Sequence, residues 1–339
     1  MARLGDIPHV WRTVGPLGVA RRVVRETMDD YVFTWAASLA YSWMFAVFPF
    51  LIFLVALLPY LPEPAKSEAT SEIKEMIAQA IPSQAGETLQ RELDNLVSTR
   101  RVGLLSIGIL IALYGASNGI AATMTALDRA YDIEVSRGYV QTRAIATGLT
   151  LALATIILLI IALMPVGTSV MRWAQEYGLI PDWARWMINA VRYSAATVLM
   201  FTILSLVYYF GPSVRGRWRW VSPGSLFVVI CWVILAFAFR WYIDVYGAAS
   251  YARTYGAIGG VAILLVVFYV DAIVLLIGAE INSEIDFAVL GVASSTNRDR
   301  PTPARANLSS GDLKLLEQLK RRRPGMAIHA PPAPEPAAT

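Results

Sequence analysis

The chain has 339 residues, 56% of them hydrophobic and 16% charged, with a formal charge of +4. Soluble domains hold about 45–50% apolar and about 25% charged residues, so the composition points into a membrane and away from a string of soluble domains. One cysteine and two histidines, Cys231, His9 and His329, leave no intrachain disulfide and no zinc or iron site built on His and Cys.

Residues 1–32 are read as a segment outside the bilayer. From 8 to 31, Val10, Trp11, Val14, Leu17, Val23 and Val24 mix with arginines, the pattern of an amphipathic helix lying at a membrane interface. No apolar run precedes residue 32, so no cleavable signal peptide is expected and the first hydrophobic block serves as an uncleaved anchor.

Six apolar blocks follow, near 33–61, 103–127, 145–167, 189–211, 222–247 and 257–281. Each has the roughly 20 residues a helix needs to cross hydrocarbon. None alternates like the strand of an outer-membrane barrel. The predicted fold is all-α, a polytopic bundle of six transmembrane helices filling a membrane domain over residues 33–282. The second block contains Tyr114-Gly-Ala-Ser-Asn118-Gly119, polar enough to kink or re-enter, and the fifth carries Arg240 and Asp244 near its end.

Between the first two blocks, residues 62–102 form an external helical segment. A helix is predicted over 71–80 with Ile73, Met76, Ile77 and Ala80 on one face, then a break at Pro82. A second is predicted over 86–98 with Leu89, Leu93, Leu96 and Val97 as its stripe. Residues 283–339 read as a tail. It has a short helix over 311–322 behind Ser309 and Ser310, and a disordered end at Pro331-Pro-Ala-Pro-Glu-Pro336.

Charge sets the expected orientation. Arginines and lysines before the first block, in the second and fourth connections, and in the tail make up 19 of the 29 basic residues. The positive-inside rule then puts these regions and both termini in the cytoplasm of a bacterial inner membrane. The basic balance anchors the spans to anionic lipid. Nucleic acid is not expected as a partner, because no aromatic and basic residues interleave outside the bilayer.

Polar groups inside the blocks are the candidate transport or gating residues. Arg240 and Asp244 stand at i and i+4 and share a helix face, so they can pair. Arg240 lies about 27 Å along its helix, near the far boundary, where snorkelling makes it cheap. Asp271 lies roughly 20 Å into the last span, a depth that suits proton coupling or a polar cavity as well as a neutral packing role. Glu280, at the carboxyl end of a helix, gains nothing from the dipole and wants a partner, an arginine of 215–219 or 321–323 or a lipid amine. Tyr41 and Asn118 join this set. Gly115 with Gly119, and Gly256 with Gly260, give the G-x-x-x-G spacing of close helix contacts, within one chain or between subunits. No nucleophile with an adjacent base, P-loop or dinucleotide fingerprint is visible, and no catalytic residue, cofactor or metal site is expected.

The run Ala36-Ala-Ser-Leu-Ala-Tyr41-Ser-Trp-Met-Phe-Ala-Val-Phe-Pro49 resembles the first-span signature of the YihY/BrkB family of bacterial inner-membrane proteins. Gly103 to Ser106, Ser117 to Tyr131, Tyr208 to Pro212, Arg217 to Arg219, Pro223-Gly224, Tyr251, Tyr255-Gly256 and Gly278 to Asn282 continue the likeness in order. The resemblance covers about residues 15–285. It departs at Asp128, where the family pattern usually has Asn, and at Asp271, where it is less charged. Some relatives were once labelled ribonucleases, a label regarded as mistaken, and the absence of an expected metal-binding cluster agrees with rejecting it. Others are associated with serum resistance or envelope lipid export. The resemblance implies the architecture rather than the mechanism; a polar-lined helical bundle with basic inner edges and an amphipathic outer cap points to a transporter or flippase for a lipid or another amphiphile. The alternatives are an envelope scaffold, a small-solute transporter and an intramembrane enzyme acting on lipid.

Overall fold

The computed structural model describes residues 4–60, 63, 65–80, 84–98, 102–176, 184–216, 218–246, 248–293 and 308–323. Among the described residues there are eleven α-helices and no strand: α1 (Ile7–Thr13), α2 (Pro16–Asp29), α3 (Val32–Leu57), α4 (Ala65–Ala80), α5 (Gln84–Ser98), α6 (Val102–Ala130), α7 (Tyr139–Glu176), α8 (Ala184–Phe210), α9 (Pro223–Tyr246), α10 (Ala248–Leu290) and α11 (Ser310–Arg322). All six predicted apolar blocks are helical. Among the described residues, five helices are long and apolar enough to cross a membrane, in α3, α7, α8, α9 and α10. The second block, counted as a span despite its polar Tyr114–Gly119 stretch, is continuous α-helix in α6. The fold is a helical membrane bundle.

The chain divides into two units. The first comprises residues 1–33, 123–231 and 274–339, the second residues 34–122 and 232–273. The boundaries fall within α3, α6, α9 and α10.

In the first unit, the amino-terminal segment is two helices rather than one. Gly15 adopts φ 79°, a left-handed conformation that costs glycine little, and Pro16 then starts α2 with its ring preset for helix. Val10 is buried with Ile285, Ala288 and Val289, so α1 is packed on the end of α10. Helix α10 runs on to Leu290, past the expected end of the last span. Phe287 and Leu290 enter a core with Tyr131, Ile133, Val214, Leu315 and Leu319. Burial of that apolar surface, at roughly 25 cal/mol per Å², is what holds α11 on the bundle.

Helix α11 is well defined locally. The Ser309 hydroxyl accepts from the Asp312 N–H, the Asp312 carboxylate accepts from the Ser309 N–H at 2.9 Å, and Lys320, Arg321 and Arg322 occupy the last turn. This is a capping box at one end and dipole-favoured cations at the other. Its carboxyl end clasps the α6–α7 connection, where the N–H groups of Glu134 and Val135 donate to the Arg322 carbonyl and Arg322 Nη1 donates to the Val135 carbonyl at 2.7 Å. Gln318 exchanges two hydrogen bonds with the backbone of Arg215 in the α8–α9 connection.

In the second unit, α4 and α5 form the expected helical pair, with α4 starting earlier than periodicity indicated. Leu58, Leu93 and Val97 are buried there, with Ile73 and Ile77 packed against them. The Lys74 ammonium meets Asp94 at 2.7 Å across the pair. Helices α3 and α6 meet closely through Gly115 and Gly119. A methyl on Gly115 would lie 3.2 Å from Pro49, and one on Gly119 would lie 3.3 Å from Trp43. That G-x-x-x-G spacing is a packing face within the chain. The surroundings of Gly256 and Gly260, the proline-rich end and the side chain of Asp244 lie outside the described residues.

Candidate functional site

Helices α9 and α10 line an open-sided cavity of about 600 Å³ in the second unit. Trp232, Leu235 and Phe239 of α9 face Ile263, Val266 and Asp271 of α10 across it. Among the described residues, Asp271 is the only charged one in its lining. Among the described residues, the buried indole N–H of Trp232 has no hydrogen-bond partner. The cavity therefore has apolar walls, one acid and one unsatisfied donor. A polar group in such surroundings is costly unless something pairs with it.

The other predicted site residues do not join it. Arg240, on the same helix as Trp232, is exposed, and its predicted pairing with Asp244 lies outside the described residues. Tyr41 is exposed on α3 and its ring lies against that of Phe45 at a tilt of 48°, centroids 4.7 Å apart. Asn118 is exposed, while its neighbour Ser117 is buried and donates to the Tyr114 carbonyl.

Glu280 sits in the first unit and is 1% exposed. Arginine or lipid amine was its expected partner. The groups that act on it most strongly are carboxylates: Asp30, Glu26, Asp132 and Glu284. The carboxylates of Glu26, Asp30 and Asp132 lie within 4.8 Å of one another. Order along the chain does not show this gathering: Glu26 and Asp30 are one helical turn apart, but Asp132 lies some hundred residues on, just past the end of α6. Positive charge enters from Arg129 and from Arg323, whose Nη2 pairs with Asp132 at 3.0 Å. Burial, with Asp132 and Glu26 adding negative charge, pushes the Asp30 carboxyl up to about 8 against the opposing pull of Arg129.

Three further residues escaped sequence reasoning as a group. Asp128 accepts from the Ser213 hydroxyl at 2.7 Å and from its N–H at 2.5 Å, tying α6 to the α8–α9 connection. Arg137 donates to the carbonyls of Phe210, Gly211 and Pro212, closing the free end of α8. Burial, with Arg215 nearby, lowers its guanidinium to about 10. The charged tail-to-loop pairs would have been found only by asking which loops must meet at one end of the bundle.

The resemblance stated from the sequence is decided by comparison with known proteins. The family model for the virulence factor BrkB matches residues 23–302. The chain belongs to the BrkB family. It is 33% identical over 248 residues to a ribonuclease-like protein of Bacillus subtilis (strain 168), covering 73% of this chain and 88% of that relative. It is 25% identical over 299 residues to a UPF0761 membrane protein of Xanthomonas euvesicatoria pv. vesicatoria, 84% of this chain and 65% of the relative. It is also 25% identical over 270 residues to a UPF0761 membrane protein of Xanthomonas campestris pv. campestris, spanning 76% of this chain and 58% of the relative. The chain thus spans about three fifths of these Xanthomonas proteins. No solved structure matches it. Membership in the BrkB family and the apolar helices together make this a membrane protein.

Proposed function

We propose that this BrkB-family protein moves a lipid or another amphiphile across the bacterial inner membrane, with both termini in the cytoplasm. The observation that carries the reading is the cavity between α9 and α10, with apolar walls and, among the described residues, the one acid Asp271. A volume of about 600 Å³ lies within the roughly 300–1,000 Å³ typical of small-molecule sites, enough for an acyl segment. Apolar walls receive the chain of an amphiphile, Asp271 accepts hydrogen bonds from its polar end, and the Trp232 N–H is free to donate. A small hydrophilic solute would find too few partners there, so the lining favours the amphiphile. The orientation rests on the positive-inside asymmetry.

Reconstitution in liposomes with fluorescent phospholipids, with and without a pH gradient, tests the reading. Transport above empty vesicles is expected, reduced at least about tenfold by Val266→Trp, which fills the cavity, and weakened by Asp271→Asn. Equal transport by the filled variant, or none by the folded parent for any lipid class, would sink it.

A further inference from the structure

Helix α2 has two unlike faces. Val23, Glu26 and Thr27 are buried within the first unit. On the other side, Leu17 is 85%, Val24 65% and Met28 61% exposed. At 3.6 residues per turn these three fall within about 40° of one another, so they form one stripe rather than scattered apolar residues. Arg21 and Arg25, both exposed, follow on one flank. In α1, Trp11 and Arg12 are exposed side by side. The acids of α2 lie elsewhere: Glu26 is on the buried face and Asp29 roughly a third of a turn from the stripe.

The position of this face identifies what covers it. Helix α2 closes at Asp30, Tyr31 turns the chain with φ 55°, and the membrane-crossing stretch begins at Val32. An apolar stripe edged with arginines, one turn from the start of a span, is within reach of the headgroup layer at all times. Leu, Val, Met and Trp side chains fit the acyl boundary, and guanidinium groups match lipid phosphates. A protein partner would have to compete with the bilayer for this surface.

We propose that α1 and α2 form a lipid-binding arm that lies on the anionic headgroup layer, Leu17, Val24 and Met28 entering the acyl boundary and Arg12, Arg21 and Arg25 holding phosphates. The arm couples the bundle to the charge of its lipid, independently of whether the α9–α10 cavity carries a substrate. Each basic residue near such a surface strengthens its attraction to anionic lipid, and salt screens that attraction.

The test uses the full chain in a Cys231→Ser background, with one cysteine at Leu17 or at Val24 carrying an environment-sensitive fluorophore. The protein is placed in nanodiscs of phosphatidylcholine with or without phosphatidylglycerol. The expected result is strong quenching by acyl-chain nitroxide lipid, and iodide quenching roughly threefold weaker than at a Glu317→Cys control on α11. Phosphatidylglycerol strengthens the contact, and Arg21→Glu with Arg25→Glu removes that gain while the melting temperature stays within a few degrees of the parent. Both positions are exposed, so either label site serves if the other perturbs folding. Iodide quenching equal to the control, or lipid quenching indifferent to both phosphatidylglycerol and the arginines, overturns the proposal.

Discussion

The backbone N–H of Gly224 donates to Oδ1 of Asn282 across 2.9 Å. The two residues lie on α9 and α10, and the bond marks a close approach of the two helix backbones. Gly278 stands at the same crossing. A methyl added to Gly224 would collide with the Gly278 carbonyl and lie 2.7 Å from the Asn282 amide. A methyl on Gly278 would collide with the Tyr208 hydroxyl, which itself donates to the Leu275 carbonyl at 2.8 Å.

Substitution at this crossing is therefore expected to cost more than its size implies. Gly224→Ala and Gly278→Ala each force two helix backbones apart, and overpacking of this kind costs about 1–3 kcal/mol or more. Gly148→Ala in α7 is the control, because nothing lies within 4 Å of the added methyl. There the gain in helix propensity, about 0.5–1 kcal/mol, is expected to win. Thermal melting in detergent checks the contrast: lower melting temperatures for the first two, equal or higher for the third.

The crossing also shows how much was legible in the sequence. Long apolar runs fixed the helices, since a span has no other way to satisfy its backbone in lipid. Gly278-Ala-Glu-Ile-Asn282 and Pro223-Gly224 carried the family resemblance, and the structure gives them one physical reason: they form the two sides of a single helix contact. That contact was not readable in advance. The G-x-x-x-G rule pointed to Gly115 and Gly119, which do face α3, but Gly224 and Gly278 have no such spacing and meet only through the fold. The acids near Glu280 were hidden for the same reason. Periodicity describes one helix at a time: it can pair Glu26 with Asp30 one turn on, whereas Asp132 arrives from beyond the end of α6.

Asp30 gives the molecule a pH dependence of definite sign. Its carboxyl is held up at about 8, against about 3.9 for an unperturbed aspartate. It binds its proton more tightly in the folded state than in the unfolded one. Its contribution is fully present below about pH 4 and is lost as pH rises through 8. Asp30→Asn keeps a neutral side chain at every pH. The difference in melting temperature between variant and parent should grow in favour of the variant from about pH 6 to pH 9. A difference that is flat, or that shrinks across this range, would refute the assignment.

The Arg323–Asp132 pair is expected to respond unequally to loss of either partner. Both side chains are largely buried, at 8% and 12% exposure. Removing one member of such a pair costs about 3–5 kcal/mol when it strands a charge. Arg323→Ala strands Asp132 beside Glu26 and Asp30 and also removes the guanidinium from the Phe287 ring, 5.2 Å from its centroid. Asp132→Asn instead removes one negative charge from a crowded group, which offsets part of the loss. Limited proteolysis within residues 308–323 is the readout. Cleavage should accelerate strongly in Arg323→Ala and only slightly in Asp132→Asn.

The helical pair α4–α5 separates packing from charge as sources of local stability. Leu93 is buried with Leu58 and Val97, and Ile73 and Ile77 close the contact. Leu93→Ala leaves a cavity that this small core has few ways to fill, at a cost of about 2–5 kcal/mol. Lys74 and Asp94 make a short ion pair, but both are exposed to water, so the pair contributes roughly 0.2–1 kcal/mol. Lys74→Ala should therefore barely change hydrogen exchange over residues 65–98, even though Gln90 also donates to the Lys74 carbonyl, because that bond needs only the backbone. Leu93→Ala should raise exchange throughout both helices while α7 and α8 keep their protection. Faster exchange in Lys74→Ala than in Leu93→Ala would mean that the ion pair, not the apolar contact, holds α4 against α5.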